Sequence, residues 1–207
     1  MNLRTLRRTV AGPAGPLQCA LDEPEGSPPS RGVALLCHPH PLHGGTMDNK
    51  VVQTLARSFV QLGWRAVRFN FRGVGESGGQ WDHGAGEIDD AWAVLQAERV
   101  AGEAVAVGGF SFGGFVATHV AQRLAEGGEP ARRVVLVGPA VRSFPAVAVG
   151  GQAVVIHGEL DDVVPLSAVL DWARPQSLPL TVVPGAGHFF HGQLGLLKQI
   201  VLDRCRD

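Results

Sequence analysis

At 207 residues and 45% hydrophobic composition, the chain has enough bulk for one folded domain, residues 1–207, around a substantial core. Its 18 basic and 19 acidic residues leave a formal charge of −1, with neither a basic block for nucleic acid nor an acidic tail. No segment approaches the roughly 20 apolar residues of a membrane span, and the basic start, residues 1–8, leads into no apolar run of the signal-peptide kind.

Residues 4–10 alternate loosely and Leu17–Leu21 is a second short apolar stretch. Between them, Gly12-Pro13-Ala14-Gly15-Pro16 supplies the turn of a hairpin. Residues 22–32, rich in Pro, Ser and Glu, read as a surface loop. From Val33 the rhythm changes. Val33-Ala34-Leu35-Leu36-Cys37 is a continuous apolar run, as expected of a parallel strand buried on both faces. A loop with three histidines follows, and the spacing of Val51, Leu55, Phe59 and Leu62 then predicts a helix over 46–62 stopped by Gly63. Strand 66–71, a Gly-rich loop over 72–86 and helix 87–101 come next. The apolar run 104–107 and the helical stretch 115–121 follow. The remainder reads as strand 133–137, strand 154–157, helix 165–173, strand 180–183 and helix 193–202.

This alternation predicts an α/β chain: a doubly wound, mostly parallel sheet of about eight strands with an N-terminal antiparallel hairpin. A closed (β/α)8 barrel typically needs about 250 residues and a helix after every strand, and this chain has neither. Three widely spaced cysteines, Cys19, Cys37 and Cys205, without a Cys-x-x-Cys pair, are expected as reduced thiols in a cytoplasmic protein.

Gly109-Phe110-Ser111-Phe112-Gly113 joins the run 104–107 to the helical stretch that follows it. Strand, sharp turn and helix are the context in which G-x-S-x-G presents its serine as a nucleophile. The turn demands small residues on either side, which Gly109 and Gly113 provide. A serine hydroxyl becomes nucleophilic when an imidazole takes its proton, and the imidazole works best when a carboxylate orients it. In an open parallel sheet those partners are expected beyond the carboxyl ends of other strands. Two loops qualify: His157-Gly158-Glu159-Leu160-Asp161-Asp162-Val163-Val164-Pro165, and Pro184-Gly185-Ala186-Gly187-His188-Phe189-Phe190-His191. His191 rivals His188 but stands where the last helix should begin.

With its serine, acid and histidine in that chain order, the sequence resembles the α/β-hydrolase superfamily. His38-Pro39-His40-Pro41-Leu42-His43-Gly44-Gly45-Thr46 and Arg68-Phe69-Asn70-Phe71-Arg72-Gly73-Val74-Gly75 are further similar to a group of small bacterial, lidless, carboxylesterase-like hydrolases. The resemblance implies Ser111 as nucleophile, His188 as general base and Asp161, four positions after the histidine of His-Gly, as orienting acid. The competing reading of Asp161 is a turn or helix-capping residue ahead of Val163-Val164-Pro165. The superfamily also implies two backbone N–H groups that stabilise the developing oxyanion. Phe112, just after the nucleophile, supplies the first. The second belongs to the loop after Cys37, where Pro39 has no N–H, so the amide of His40 is expected to serve.

Other motifs have plainer readings. His38, His40, His43 and Asp48 have zinc-ligand chemistry, but the chain lacks the further strand-end ligands of a His-x-His metal hydrolase. Residues 70–78 lack the Gly-Lys-Ser/Thr ending of a phosphate loop. Glu87, Asp89 and Asp90 are expected to complement a helix dipole. The 16 residues from Gly138 to Ala153, where related folds insert a helical cap, are too few to form one. The expectation is a cofactor-free and metal-free serine hydrolase that cleaves small-molecule esters through an acyl-enzyme. It engages neither nucleic acid nor membrane, as a monomer or homodimer. Thioesterase, peptidase or carbon–carbon hydrolysis on the same residues are the enzymatic rivals, and a silent binding protein is the rival from another class.

Overall fold

The computed structural model describes residues 5–25 and 31–206. The start of the first expected strand at Arg4 and the middle of the 22–32 loop lie outside them. The strands are Thr5–Gly12 (β1), Gly15–Asp22 (β2), Gly32–Cys37 (β3), Arg65–Phe69 (β4), Ala104–Phe110 (β5), Arg133–Val137 (β6), Val154–Gly158 (β7) and Leu180–Val183 (β8). The helices are Lys50–Gln61 (α1), Ala85–Glu98 (α2), Phe112–Glu126 (α3), Leu166–Ala173 (α4) and Leu194–Cys205 (α5). All eight strands form one sheet in the order β1-β2-β4-β3-β5-β6-β7-β8. Strands β1 and β2 are an antiparallel hairpin turned by Pro13-Ala14, and β2 runs antiparallel to β4. The other six strands are mutually parallel.

The apolar run of β3 is continuous because both faces of the sheet are covered. Val33, Leu35 and Cys37 pack toward α2 and α3, together with Val94, Phe112, Val116 and Val120. Ala34 and Leu36 pack toward α1 and α5, against Val52, Leu55, Phe59 and Val201. Burying a side chain such as Phe59, fully removed from solvent, contributes about 2–3 kcal/mol. The three cysteines are free thiols inside this core, and burial pushes the Cys19 thiol up to about 12. No helix of the described residues is long and apolar enough to cross a membrane.

Several boundaries differ from the expected ones, each for a local reason. Helix α1 starts at Lys50, not residue 46, because Asn49 caps it: its side chain accepts the Val51 N–H at 2.9 Å. Strand β4 stops at Phe69. Beyond it the amide of Asn70 donates to Gln18 O at 2.9 Å, and that of Phe71 donates to His38 Nε2 at 3.1 Å. Helix α2 begins two residues early, because the Glu87 carboxylate accepts the amides of Gly84 at 2.8 Å and Asp82 at 3.0 Å. Asp90, expected beside Glu87 to answer the helix dipole, instead accepts three hydrogen bonds from the amide and guanidinium of Arg72, at 2.8–3.0 Å.

Six strands pointing one way bring their carboxyl ends to one edge, as the register shows: Cys37 sits opposite Gly109, Phe110 opposite Val137, Val137 opposite Ile156 and Gly158 opposite Val183. The loops carrying His38–Gly45, Ser111, Glu159–Val164 and Pro184–His191 all emerge there. Residues 138–153 contain turns but no helix. They run along α3, where His119 Nε2–H donates to Pro145 O at 3.0 Å and the Val147 amide donates to Thr118 Oγ1 at 3.2 Å.

Candidate active site

Ser111 occupies the junction between β5 and α3 at φ 55° and ψ −119°. For a residue with a Cβ this is a strained conformation, costing about 1–3 kcal/mol. The surroundings hold it: the Ser111 amide donates to Val137 O at 2.9 Å, and Ser111 O accepts the Gly114 and Ala140 amides. The flanking glycines are required by close approach. A Cβ on Gly109 would stand 2.0 Å from Gly113 O, across the turn. One on Gly113 would stand 2.2 Å from Cys37 O and 2.6 Å from His38 O, so this glycine lets the elbow press against the end of β3.

The loop after β8 brings His188 against Ser111, with Nε2 3.0 Å from Oγ. His188 Nδ1 lies 2.7 Å from Asp161 Oδ2. An ionised carboxylate only accepts, so Nδ1 carries the proton and Nε2 presents its lone pair to the serine hydroxyl. Ser111, Asp161 and His188 are 7%, 8% and 3% exposed, which keeps the chain of hydrogen bonds largely out of water. His191, the rival histidine, is exposed and stacks on Phe189 at 5.8 Å.

The competing reading of Asp161 is also present in the structure, on its other oxygen. Oδ1 accepts the amides of Val163 at 3.0 Å and Val164 at 2.7 Å, so one carboxylate shapes its own loop and orients His188. Burial raises its pKa. The hydrogen bonds from His188 and the Val164 amide, with the fields of His188 and His157, outweigh burial and hold it below the usual carboxylate range. Asp162 is exposed.

His157 is a neighbour that the sequence reading passed over. It is fully buried, its Nε2–H donates to Val164 O at 2.9 Å, and the same nitrogen lies 3.6 Å from Asp161 Oδ2. Burial depresses its pKa, so the ring is neutral and props the acid-bearing loop. Its place in His-Gly-x-x-Asp was the available signal.

Phe112 opens α3, so its amide is among those a helix leaves without an intrahelical partner, at the positive end of the dipole. The Phe112 ring packs with His40 at 5.3 Å, Trp81 at 5.1 Å and Phe144 at 4.8 Å. His40 and Trp81 are themselves 4.6 Å apart, and this four-ring wall was not legible from spacing. Among the described residues no three His, Cys, Asp or Glu side chains cluster as metal ligands. His38 bonds to backbone on both ring nitrogens, at Pro39 and Phe71, and His40 joins the aromatic wall. A cleft of about 720 Å³, lined by Arg7, Arg57, Arg68 and Lys198 among others, includes none of the expected site residues. The cleft and the hydrogen-bonded group around Ser111 are separate places in the fold.

The chain is similar in sequence and in fold to known proteins. A family described as serine aminopeptidase, S33, matches residues 35–178. The uncharacterised protein RP471 of Rickettsia prowazekii is 32% identical over 178 residues, covering 78% of this chain and 73% of that protein. The crystal structure of XC6422 from Xanthomonas campestris, an α/β serine hydrolase without a lid, is similar with a TM-score of 0.89 and 36% identity. The match covers all of this chain and 95% of that one. An α/β serine hydrolase homologue from Coxiella burnetii matches with a TM-score of 0.85 and 35% identity over 98% and 97% of the two chains. The chain belongs to the serine aminopeptidase S33 family, and with it to the α/β-hydrolase superfamily of serine hydrolases, in the lidless form.

Proposed function

We propose that the protein hydrolyses esters of small carboxylic acids through a covalent acyl-enzyme on Ser111. The observation that carries this reading is the unbroken relay from Ser111 Oγ to His188 Nε2 at 3.0 Å and from His188 Nδ1 to Asp161 Oδ2 at 2.7 Å. In the first half-reaction Ser111 Oγ attacks the ester carbonyl as His188 takes its proton, and the same imidazole returns that proton to the departing alcohol. Water then attacks the acyl-enzyme with His188 again as base, releasing the acid and restoring the serine. Asp161 keeps His188 in the required tautomer and stabilises it when it is charged. The amides of Phe112 and His40 receive the oxyanion.

The family's own description favours a second reading, cleavage of an amino-terminal residue from a peptide. That reaction needs a carboxylate to hold the substrate ammonium. On this face Asp161 is committed to His188 and Glu159 accepts the Gly185 amide at 2.9 Å, which leaves the exposed Asp162 for that role, whereas an ester asks for no such partner. Labelling with a fluorophosphonate probe, followed by a panel of p-nitrophenyl esters, acyl-CoA thioesters and amino-acid p-nitroanilides, tests both readings. Labelling at Ser111 with ester turnover is expected. Turnover confined to anilides would establish the second reading, and no labelling would sink both.

A further inference from the structure

We infer that His38 is a positioning residue: its imidazole fixes the peptide that presents the His40 amide to the oxyanion, an inference that rests on the serine-hydrolase reading above. The ring is completely buried and touches two backbone groups. The amide of Phe71, where the chain leaves β4, donates to Nε2 at 3.1 Å. An amide nitrogen cannot accept, so Nε2 holds a lone pair and the proton of the neutral ring sits on Nδ1. Nδ1–H therefore donates to Pro39 O at 2.6 Å. Burial pushes this imidazole's pKa down to about 3, consistent with a single neutral tautomer.

The consequence follows from peptide geometry. Pro39 O and the His40 N–H belong to one planar unit, and the described residues contain no cis bond. In a trans unit carbonyl and N–H point in opposite directions, so holding the carbonyl aims the amide. The far side of Pro39 O is closed by Gly45, where an added Cβ would meet that oxygen at 2.0 Å. The next peptide is held as well, because His40 O accepts the amides of His43 at 3.1 Å and Gly45 at 3.0 Å. The His40 N–H is thus fixed from both sides before any substrate arrives. Proline at 39, which removes one donor from this loop, is compatible with catalysis because His38 has aimed the next one. Preorganised donors of this kind work without reorganising during the reaction.

Two variants separate aiming from packing. The amide of His38→Asn places a donor near the Nδ1 position, whereas His38→Gln reaches toward the Nε2 position and keeps an acceptor for Phe71. With p-nitrophenyl acetate, H38Q is expected to lose about 10–100-fold in kcat with KM within about threefold, and H38N to recover most of that loss. Affinity for phenylboronic acid, whose adduct with Ser111 is tetrahedral and carries an oxygen into the hole, is expected to fall in step with kcat. Long-range 1H–15N correlation spectra of the wild-type protein at pH 7 are expected to show His38 protonated on Nδ1 alone. Proton occupancy of Nε2, or equal kcat losses in both variants with boronate affinity unmoved, would overturn the inference. A wild-type protein inert to both fluorophosphonate and ester would instead overturn the hydrolase reading and the donor assignment with it. That result differs from an active enzyme indifferent to His38.

Discussion

Asp161 and His188 meet at 2.7 Å across 27 residues of sequence, while Asp162, the next residue after Asp161, faces solvent. The pair therefore discriminates sharply between two adjacent aspartates. Asp161→Asn preserves the oxygen that caps the Val163 and Val164 amides but offers His188 the wrong partner, and should lower kcat about 10³–10⁴-fold. Asp162→Asn should stay within about twofold. Ser111→Ala and His188→Ala should each cost about 10⁴–10⁶-fold, and combining them should cost little more, because the residues act as a unit. Steady-state kinetics on a p-nitrophenyl ester checks all four. A larger loss for Asp162→Asn than for Asp161→Asn would move the acid by one position.

Arg72 and Asp90 concern stability rather than turnover. Asp90 is fully buried and takes three hydrogen bonds from Arg72, so deleting Arg72 strands a charge in the core, and deleting Asp90 leaves the buried guanidinium with the looser Asp82 pair at 3.6 Å. Arg72→Ala or Asp90→Ala should each destabilise the fold by about 3–5 kcal/mol. In a protein of this size that lowers Tm by about 6–20 °C. Thermal unfolding measures it, and a loss below about 1 kcal/mol would show the pair to be dispensable.

Stability should also fall on mild acidification. His38 is neutral in the fold down to about pH 3, while the unfolded chain takes up a proton near 6.5. Below 6.5 the unfolded state binds more protons, so unfolding becomes easier as pH drops, by about 2 kcal/mol between pH 7.5 and 5 from this residue alone. His157, also depressed, adds in the same direction. Asp161, held below its ordinary range, contributes stability that is lost only as pH falls through its folded value, so it changes little in this window. Urea titrations at the two pH values should show the loss, reduced in His38→Asn. A flat profile would mean that His38 charges within the fold.

Acyl length should separate good substrates from poor ones. Residues 138–153 are tied down along α3, with Phe144 against Phe112 at 4.8 Å and Phe115 at 5.2 Å, so they form no cap. Each buried methylene is worth about 0.8 kcal/mol, and an open site forfeits that gain beyond a few carbons. We expect kcat/KM to peak at short acyl esters, with no jump in rate when substrate forms an interface. A maximum at a dozen or more carbons would refute this.

The sheet, its hairpin and the loops that meet at its carboxyl edge were legible because each rests on a local signal: uninterrupted apolar runs, glycine stops, alternation of element type. Ser111 was legible because a strained turn needs Gly109 and Gly113 within a few residues. Element ends were read less well. Where β4 stops depends on Gln18 and His38, which lie far away in sequence and take the amides of Asn70 and Phe71. Asp90 was misassigned for the same reason, since its partner Arg72 precedes it by 18 residues. His157 and the ring wall around Phe112 were missed because side-chain packing between loops leaves no period in the chain.

The parallel register also bears on when the molecule becomes competent. Cys37 pairs with Gly109 across the centre of the sheet, and the serine and histidine of the relay are 77 residues apart. Helix α1 can form from neighbouring residues, but β5 must wait until β3 and β6 flank it, and closing such long loops is slow. Reacquired turnover is therefore a clock for the last events of folding: after dilution from denaturant it lags the helical signal.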